Sequence, residues 1–118
     1  MVGAALSSPK LIIELIADGI YVHPAVMHIV VKAKETEKIV LITDAIRATG
    51  LPPGKYDLGG QTVIADKTTA RLEDGTLAGS VLTMEKAVHN IAQKLEVPLE
   101  TALQFATYNP AKCLGIEK

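Results

Sequence analysis

At 118 residues the chain has the size of one modest domain, long enough to bury a core and short for an enzyme built on a complete barrel. Twelve basic residues against thirteen acidic ones give a net charge of −1, which removes the electrostatic case for nucleic acid or an anionic membrane as partner. One Phe, three Tyr and no Trp leave the core to Ile, Val, Leu and Ala, as in parallel α/β folds. A mean hydropathy of +0.27 is high for so small a domain and predicts apolar surface meant to be covered. The single cysteine, Cys113, excludes an intramolecular disulfide and fits a reducing, cytoplasmic setting. The residues from Met1 to Lys10 lack the pattern of a signal peptide, and no apolar run approaches the roughly 20 residues of a membrane span.

Taken from the N-terminus, Leu11 to Ile16 is a short run rich in Ile and Leu that ends at Ala17-Asp18-Gly19, and Lys38 to Thr43 repeats the pattern before Asp44-Ala45. Both predict buried strands. Between them Pro24 to Lys34 predicts a helix, with Pro at its start, Val26, Ile29 and Val30 on one face, and lysines in its last turns. Strand, helix, strand with continuous apolar strands predicts parallel pairing under helices, and a right-handed crossover would bring Asp18 and Asp44 near one rim. From Gly50 to Gly79, turn signals at Pro52-Pro53-Gly54, Gly59-Gly60 and Asp74-Gly75 separate short alternating pieces such as Gln61 to Ala65, which predicts a small antiparallel β segment. Thr83 then stands before a helix with Val88, Ile91, Ala92 and Leu95 at helical spacing. Pro98 opens a second, with Leu99, Ala102, Leu103 and Ala106 on its face, so that two helices close the chain. The predicted organisation is α/β over 1–49, β over 50–80 and closing helices over 81–118, with Gly50 to Gly54 as the hinge.

Residues at the C-terminal ends of parallel strands line the ligand site of α/β folds, which makes Asp44 a candidate; a carboxylate there more often just caps a following helix or turn, and spacing alone does not single it out. Four segments narrow the choice: Glu14 to Pro24 around Ala17-Asp18-Gly19, Leu41-Ile42-Thr43-Asp44-Ala45, Gly75-Thr76-Leu77-Ala78-Gly79-Ser80, and Asn109-Pro110-Ala111-Lys112-Cys113-Leu114-Gly115. In this order they resemble the N-acetylglucosamine-6-phosphate deacetylases over almost the whole chain. The last segment is shared widely among amidohydrolases, whereas the first three together are more specific to the deacetylases.

The resemblance implies an α/β fold class, the C-terminal part of a metal-dependent-hydrolase (β/α)8 barrel: its last two βα units, part of a small β domain and closing helices. It implies hydrolysis of the acetamide of N-acetylglucosamine 6-phosphate to glucosamine 6-phosphate and acetate, with a divalent metal, commonly zinc, activating water. Asp44 matches the family's catalytic aspartate, which takes a proton from that water and passes one to the leaving amine. Asp18, Gly19, Ile20 and Tyr21 fall where the family contacts its sugar substrate, and Leu77, Ala78 and Gly79 form a loop whose backbone the family uses similarly.

Position 21 departs from the family, which usually has His there; Tyr21 keeps a hydrogen-bonding tip but does not become a cation near neutral pH. The family's metal ligands, a Glu and two His, come from strands ahead of the residues present here, so no metal ligand is expected in this chain. His23 and His28, five residues apart, lack the i, i+4 spacing of a zinc helix and read as a loop residue and a helix residue. His89 beside its apolar stripe reads as structural, Cys113 as a small buried hydrophobe, and Lys32 to Lys38 as a solvated connection. Two parallel strands leave ladder edges and apolar faces open, so the expected partners are an amino-sugar phosphate and either the rest of the barrel or further copies of the chain. Two other functions fit the same residues: a non-catalytic α/β interaction module derived from an amidohydrolase, and an amidohydrolase with a different N-acyl substrate.

Overall fold

A computed structural model describes all 118 residues, from Met1 to Lys118. The chain divides into two units, one made of Met1–Ile42 with Met84–Lys118 and one of Thr43–Thr83. The closing helices therefore fold with the N-terminal segment, and the chain leaves that unit after Ile42, ahead of the Gly50 to Gly54 stretch.

In the first unit β1 (Ile13–Ile16) and β2 (Ile39–Ile42) pair in parallel, with Ile13 opposite Ile39 and Ile16 opposite Ile42. Ile39, Val40 and Leu41 are all buried, as expected of a parallel strand covered on both faces. The crossover helix α2 (Pro24–Ala33) begins with Pro24 at its first position, where the missing N–H would have had no partner. His23 caps it: Nδ1 accepts a hydrogen bond from the Ala25 amide at 3.2 Å. The buried side of α2 differs from the predicted one. Met27 and Val30 are buried, whereas Val26 is 36% exposed and Ile29 52%. Apolar residues encircle this helix, so spacing alone does not select the buried side.

A short helix, α1 (Val2–Ser7), precedes β1 and was not expected from the sequence. Its last carbonyls explain why Lys34, predicted in a solvated connection, is buried. Its Nζ donates to the carbonyls of Ala5 at 2.9 Å and Ser8 at 2.5 Å, so the ammonium satisfies groups that the end of α1 leaves open.

Three helices close the unit, not two: α3 (Met84–Lys94), α4 (Leu99–Ala106) and α5 (Tyr108–Cys113). α3 buries Val88 and Ile91 as its spacing predicts, and Leu95 just beyond it is buried too. α4 instead buries Ala102 and Phe105, with Leu99 and Leu103 exposed, because a helix buries the side its neighbours cover, here α3 and β2, and that side carries Phe105. Pro110 sits in the first turn of α5, where its lost N–H costs nothing. Before it, the buried Asn109 uses both ends of its amide. Nδ2 donates to the carbonyls of Thr36 and Ile39, each at 2.7 Å, and Oδ1 accepts from Gln104 Nε2 at 3.1 Å, which fixes α5 to the entry of β2. Cys113, at the end of α5, is exposed rather than buried, since the last turn faces solvent beside the Lys112–Glu37 ion pair.

The second unit is a three-stranded antiparallel meander of β3 (Gly54–Leu58), β4 (Gln61–Ala65) and β5 (Ala70–Leu72). Gly59 and Gly60, at φ of 59° and 86°, make the two-residue turn between Leu58 and Gln61, a conformation that glycine adopts without a Cβ penalty. The alternation in β4 puts Val63 and Ala65 inside, where they pack with Ala48 and Ala70 under Ile46, Tyr56 and Ala78.

Between β4 and β5 the Asp66 carboxylate accepts four hydrogen bonds, from the amides and hydroxyls of Thr68 and Thr69. These hold its carboxyl far below the ordinary carboxylate range. A carboxyl whose folded pKa is depressed stabilises the fold above its unfolded pKa and loses that contribution as pH falls through the folded value. The melting temperature is therefore expected to drop as pH is lowered from about 5 towards about 2, and Asp66→Asn should flatten that slope. Thermal unfolding followed across this range checks it; equal slopes for the two proteins would remove Asp66 as a cause.

Candidate functional site

The residues singled out from the sequence fall in both units, and each group is described within its own unit. After β1 the chain passes through Ala17, fully buried, into a loop that Asp18 folds around itself. Asp18 Oδ1 accepts hydrogen bonds from the amides of Ile20 at 2.8 Å and Tyr21 at 3.0 Å, and Gly19 takes a φ of 79° between them. The carboxylate thus builds the loop that presents Gly19, Ile20 and Tyr21.

One further side chain, absent from the sequence-based candidates, acts on this loop: Asn90 of α3, only 2% exposed, donates from Nδ2 to the Ala17 carbonyl at 2.8 Å. Its Oδ1 is buried without a hydrogen-bond partner. The signal was an amide inside the buried face of an otherwise apolar helix stripe, Ala87, Val88 and Ile91. Tyr21, half-buried, borders an apolar cleft of about 300 Å³ along β1 and α2, lined by Ile13, Leu15, Val22, Val26 and Val30.

In the second unit Asp44 is exposed, and its backbone stands in the left-handed region at a φ of 50°. Asp tolerates this region better than most residues, at a cost on the order of 1 kcal/mol. Around it the chain is tied down: the Ala45 amide reaches Thr43 Oγ1 at 3.3 Å, and Ala45 forms an isolated parallel bridge with Ser80. The Ser80 amide donates to the Asp44 carbonyl at 2.8 Å, and the Ile46 amide donates to the Ser80 carbonyl at 3.0 Å.

The second unit brings Asp44 together with the predicted Leu77–Gly79 loop. Leu77 bridges Arg71, the Ala78 amide donates to the Ala70 carbonyl at 2.9 Å, and Gly79 lies against Asp44 and Ile46. A Cβ built on Gly79 would stand 3.2 Å from the Asp44 carbonyl oxygen and 2.3 Å from Ile46 Cγ2, and Gly79 has a φ of 74°. Only glycine fits that approach.

No group of three or more His, Cys, Asp or Glu side chains is arranged to hold a metal ion. His23 is engaged as a cap, and His28 and His89 are exposed on their helices. No helix is long and apolar enough to cross a membrane.

No protein-family model matches the chain. Among curated proteins it is 44% identical over 117 residues to the N-acetylglucosamine-6-phosphate deacetylase of Vibrio furnissii, covering 99% of this chain and 29% of that protein. It is 42% identical over 117 residues to an Escherichia coli K12 protein that carries the name N-acetylgalactosamine-6-phosphate deacetylase provisionally, covering 99% of this chain and 70% of that one. Among solved structures, the N-acetylglucosamine-6-phosphate deacetylase of Thermotoga maritima superposes on 98% of this chain with a TM-score of 0.91 at 36% identity, using 32% of its own length. A variant of the Mycobacterium smegmatis enzyme in complex with N-acetyl-D-glucosamine-6-phosphate superposes on 96% with a TM-score of 0.89 at 32% identity, using 31% of its length. The chain spans about 30% of the length of the first curated relatives it matches.

Proposed function

Because this chain belongs to the N-acetylglucosamine-6-phosphate deacetylase family, we propose that it supplies the proton-transferring part of a deacetylase active site, as the last two βα units of a (β/α)8 barrel with part of its β domain. The reaction is hydrolysis of the acetamide of N-acetylglucosamine 6-phosphate. A water oxygen bonds to the acetamide carbonyl carbon, the carbon–nitrogen bond breaks, and acetate and the free amine leave. Asp44 takes the proton from the attacking water and returns one to the departing nitrogen, a task that needs a carboxylate reachable by both. The observation that carries this reading is the backbone of Asp44, held in a sparsely populated conformation with its side chain exposed, as functional residues often are.

By the family resemblance Asp18, Gly19, Ile20 and Tyr21 are assigned to sugar contact, and so, separately in the second unit, are Leu77, Ala78 and Gly79; within its own unit Asp18 shapes the loop that carries the first group. The divalent metal implied by the family resemblance, zinc by the same argument, does not fit the donor set of these residues. Its ligands must come from polypeptide other than these 118 residues, and that polypeptide is the proposed partner.

The chain by itself, given N-acetylglucosamine 6-phosphate and zinc, is therefore expected to release no acetate. A hybrid in which it replaces the matching 117 residues of the Vibrio furnissii enzyme is expected to release it. Relatives named for the glucosamine and galactosamine epimers match at 44% and 42% identity, so the hybrid is assayed with both sugars. Turnover of the galacto epimer alone would move the substrate to the second reading. A folded hybrid inactive on both would leave the non-catalytic interaction module as the better account.

A further inference from the structure

Ser80 makes five hydrogen bonds, and every one lies within the second unit. Its amide donates to the Asp44 carbonyl at 2.8 Å. Its carbonyl accepts from the Ile46 amide at 3.0 Å and from Thr49 Oγ1 at 3.4 Å. Its hydroxyl donates to the Thr43 carbonyl and accepts from the Leu82 amide at 3.1 Å. The residue is only 3% exposed, so water cannot substitute for these partners. The three peptide groups it grips on the other segment belong to Thr43, Asp44 and Ile46, so they span Asp44 on both sides. Gly79, with no Cβ, lets this grip close on the Asp44 carbonyl.

From this arrangement we infer that Ser80 is a positioning residue: its hydroxyl locks Asp44 in the left-handed backbone conformation and so sets where the carboxylate points. A residue leaving the left-handed region swings its Cα–Cβ vector through a large angle, because the two dihedrals that define the region orient the side chain. Left to local preference, Asp44 would relax to a negative φ. The functional consequence rests on the reading of Asp44 as the proton-transfer group, but the conformational claim does not.

Both are tested with separate readouts. In the isotopically labelled chain a φ near 50° at Asp44 brings its amide proton and its own Hα unusually close, which NMR records as a strong intraresidue cross-peak. Wild type is expected to show that cross-peak, Ser80→Ala to lose it, and Ser80→Thr, which keeps the hydroxyl, to retain it. The signals of Val63 and Ala65 should remain in place in both variants, since a merely structural role would move the core and not Asp44 alone. In the hybrid enzyme, Ser80→Ala is expected to lower kcat by about 10- to 100-fold with KM unchanged, and Ser80→Thr to restore it.

A strong Asp44 cross-peak that survives Ser80→Ala overturns the inference. Should Ser80→Ala fail to fold, a weak cross-peak in the wild type overturns it, and a strong one that weakens in Ser80→Gly supports it. A hybrid with no activity in any form, beside a cross-peak that follows the Ser80 hydroxyl, would sink the deacetylase reading and leave the lock standing.

Discussion

In the hybrid enzyme, Asp44→Asn is expected to lower kcat by about 10² to 10⁴ while KM stays within a few-fold of its starting value. The amide is nearly isosteric with the carboxylate and carries the same short stem, so the left-handed backbone, which Asn tolerates as well as Asp, should persist. What is lost is a group able to hold a proton in one step and release it in the next. Steady-state kinetics on N-acetylglucosamine 6-phosphate decide the matter. A kcat left unchanged would take Asp44 out of the mechanism, and a raised KM at constant kcat would recast it as a binding residue.

Gly79→Ala should destabilise the second unit by about 2–4 kcal/mol, the sum of backbone strain at positive φ and a methyl group forced into a filled space. The Cβ would meet Ile46 Cγ2 at 2.3 Å, and Ile46 packs against the core of Val63, Ala65 and Ala70, so it has little room to withdraw. Gly75 supplies the control. Its φ of 89° imposes the same kind of strain, but nothing lies within 4 Å of its Cβ position, so Gly75→Ala should cost only about 1 kcal/mol. Urea unfolding of the two variants separates the contributions, and equal shifts in their midpoints would show that the close approach at Gly79 carries no energy of its own.

The strands, the crossover helix and the β meander were legible because their signals are local: short apolar runs, Pro at a helix start, Gly-Gly at a tight turn. The buried sides of α2 and α4 were not, because Val26, Met27, Ile29 and Val30 offer apolar surface in several directions and the choice is made by what packs on them. The burial of Lys34 was hidden for a different reason. An ammonium enters the interior only when acceptors await it, and those are carbonyls 26 and 29 residues earlier in the chain, at the end of a helix too short to register as a pattern.

At the site the same division holds. Asp18 and Asp44 are legible as residues that follow apolar strands, but their roles come only from the four segments that resemble the deacetylases, and the hydrogen bonds by which Asp18 closes its loop belong to the fold. The residues that hold these two are not legible: Asn90 acts on Ala17 across 73 positions, and Ser80 reaches Thr43 across 37. Such partners become visible only once the chain has brought them together.

The first unit is assembled from the two ends of the chain, and this has a consequence for the order in which the protein is made. The second unit, Thr43–Thr83, is continuous and closes through neighbouring hairpins, so it can form as soon as its residues leave the ribosome. The strands of the first unit emerge earlier but must wait. Asn109 secures the Ile39 carbonyl from 70 residues away and Asn90 the Ala17 carbonyl from 73, so neither clasp exists until the C-terminal helices have been synthesised. Until then β1 and β2 remain apolar nascent chain with their closing helices missing, a stretch for which a chaperone has reason to compete.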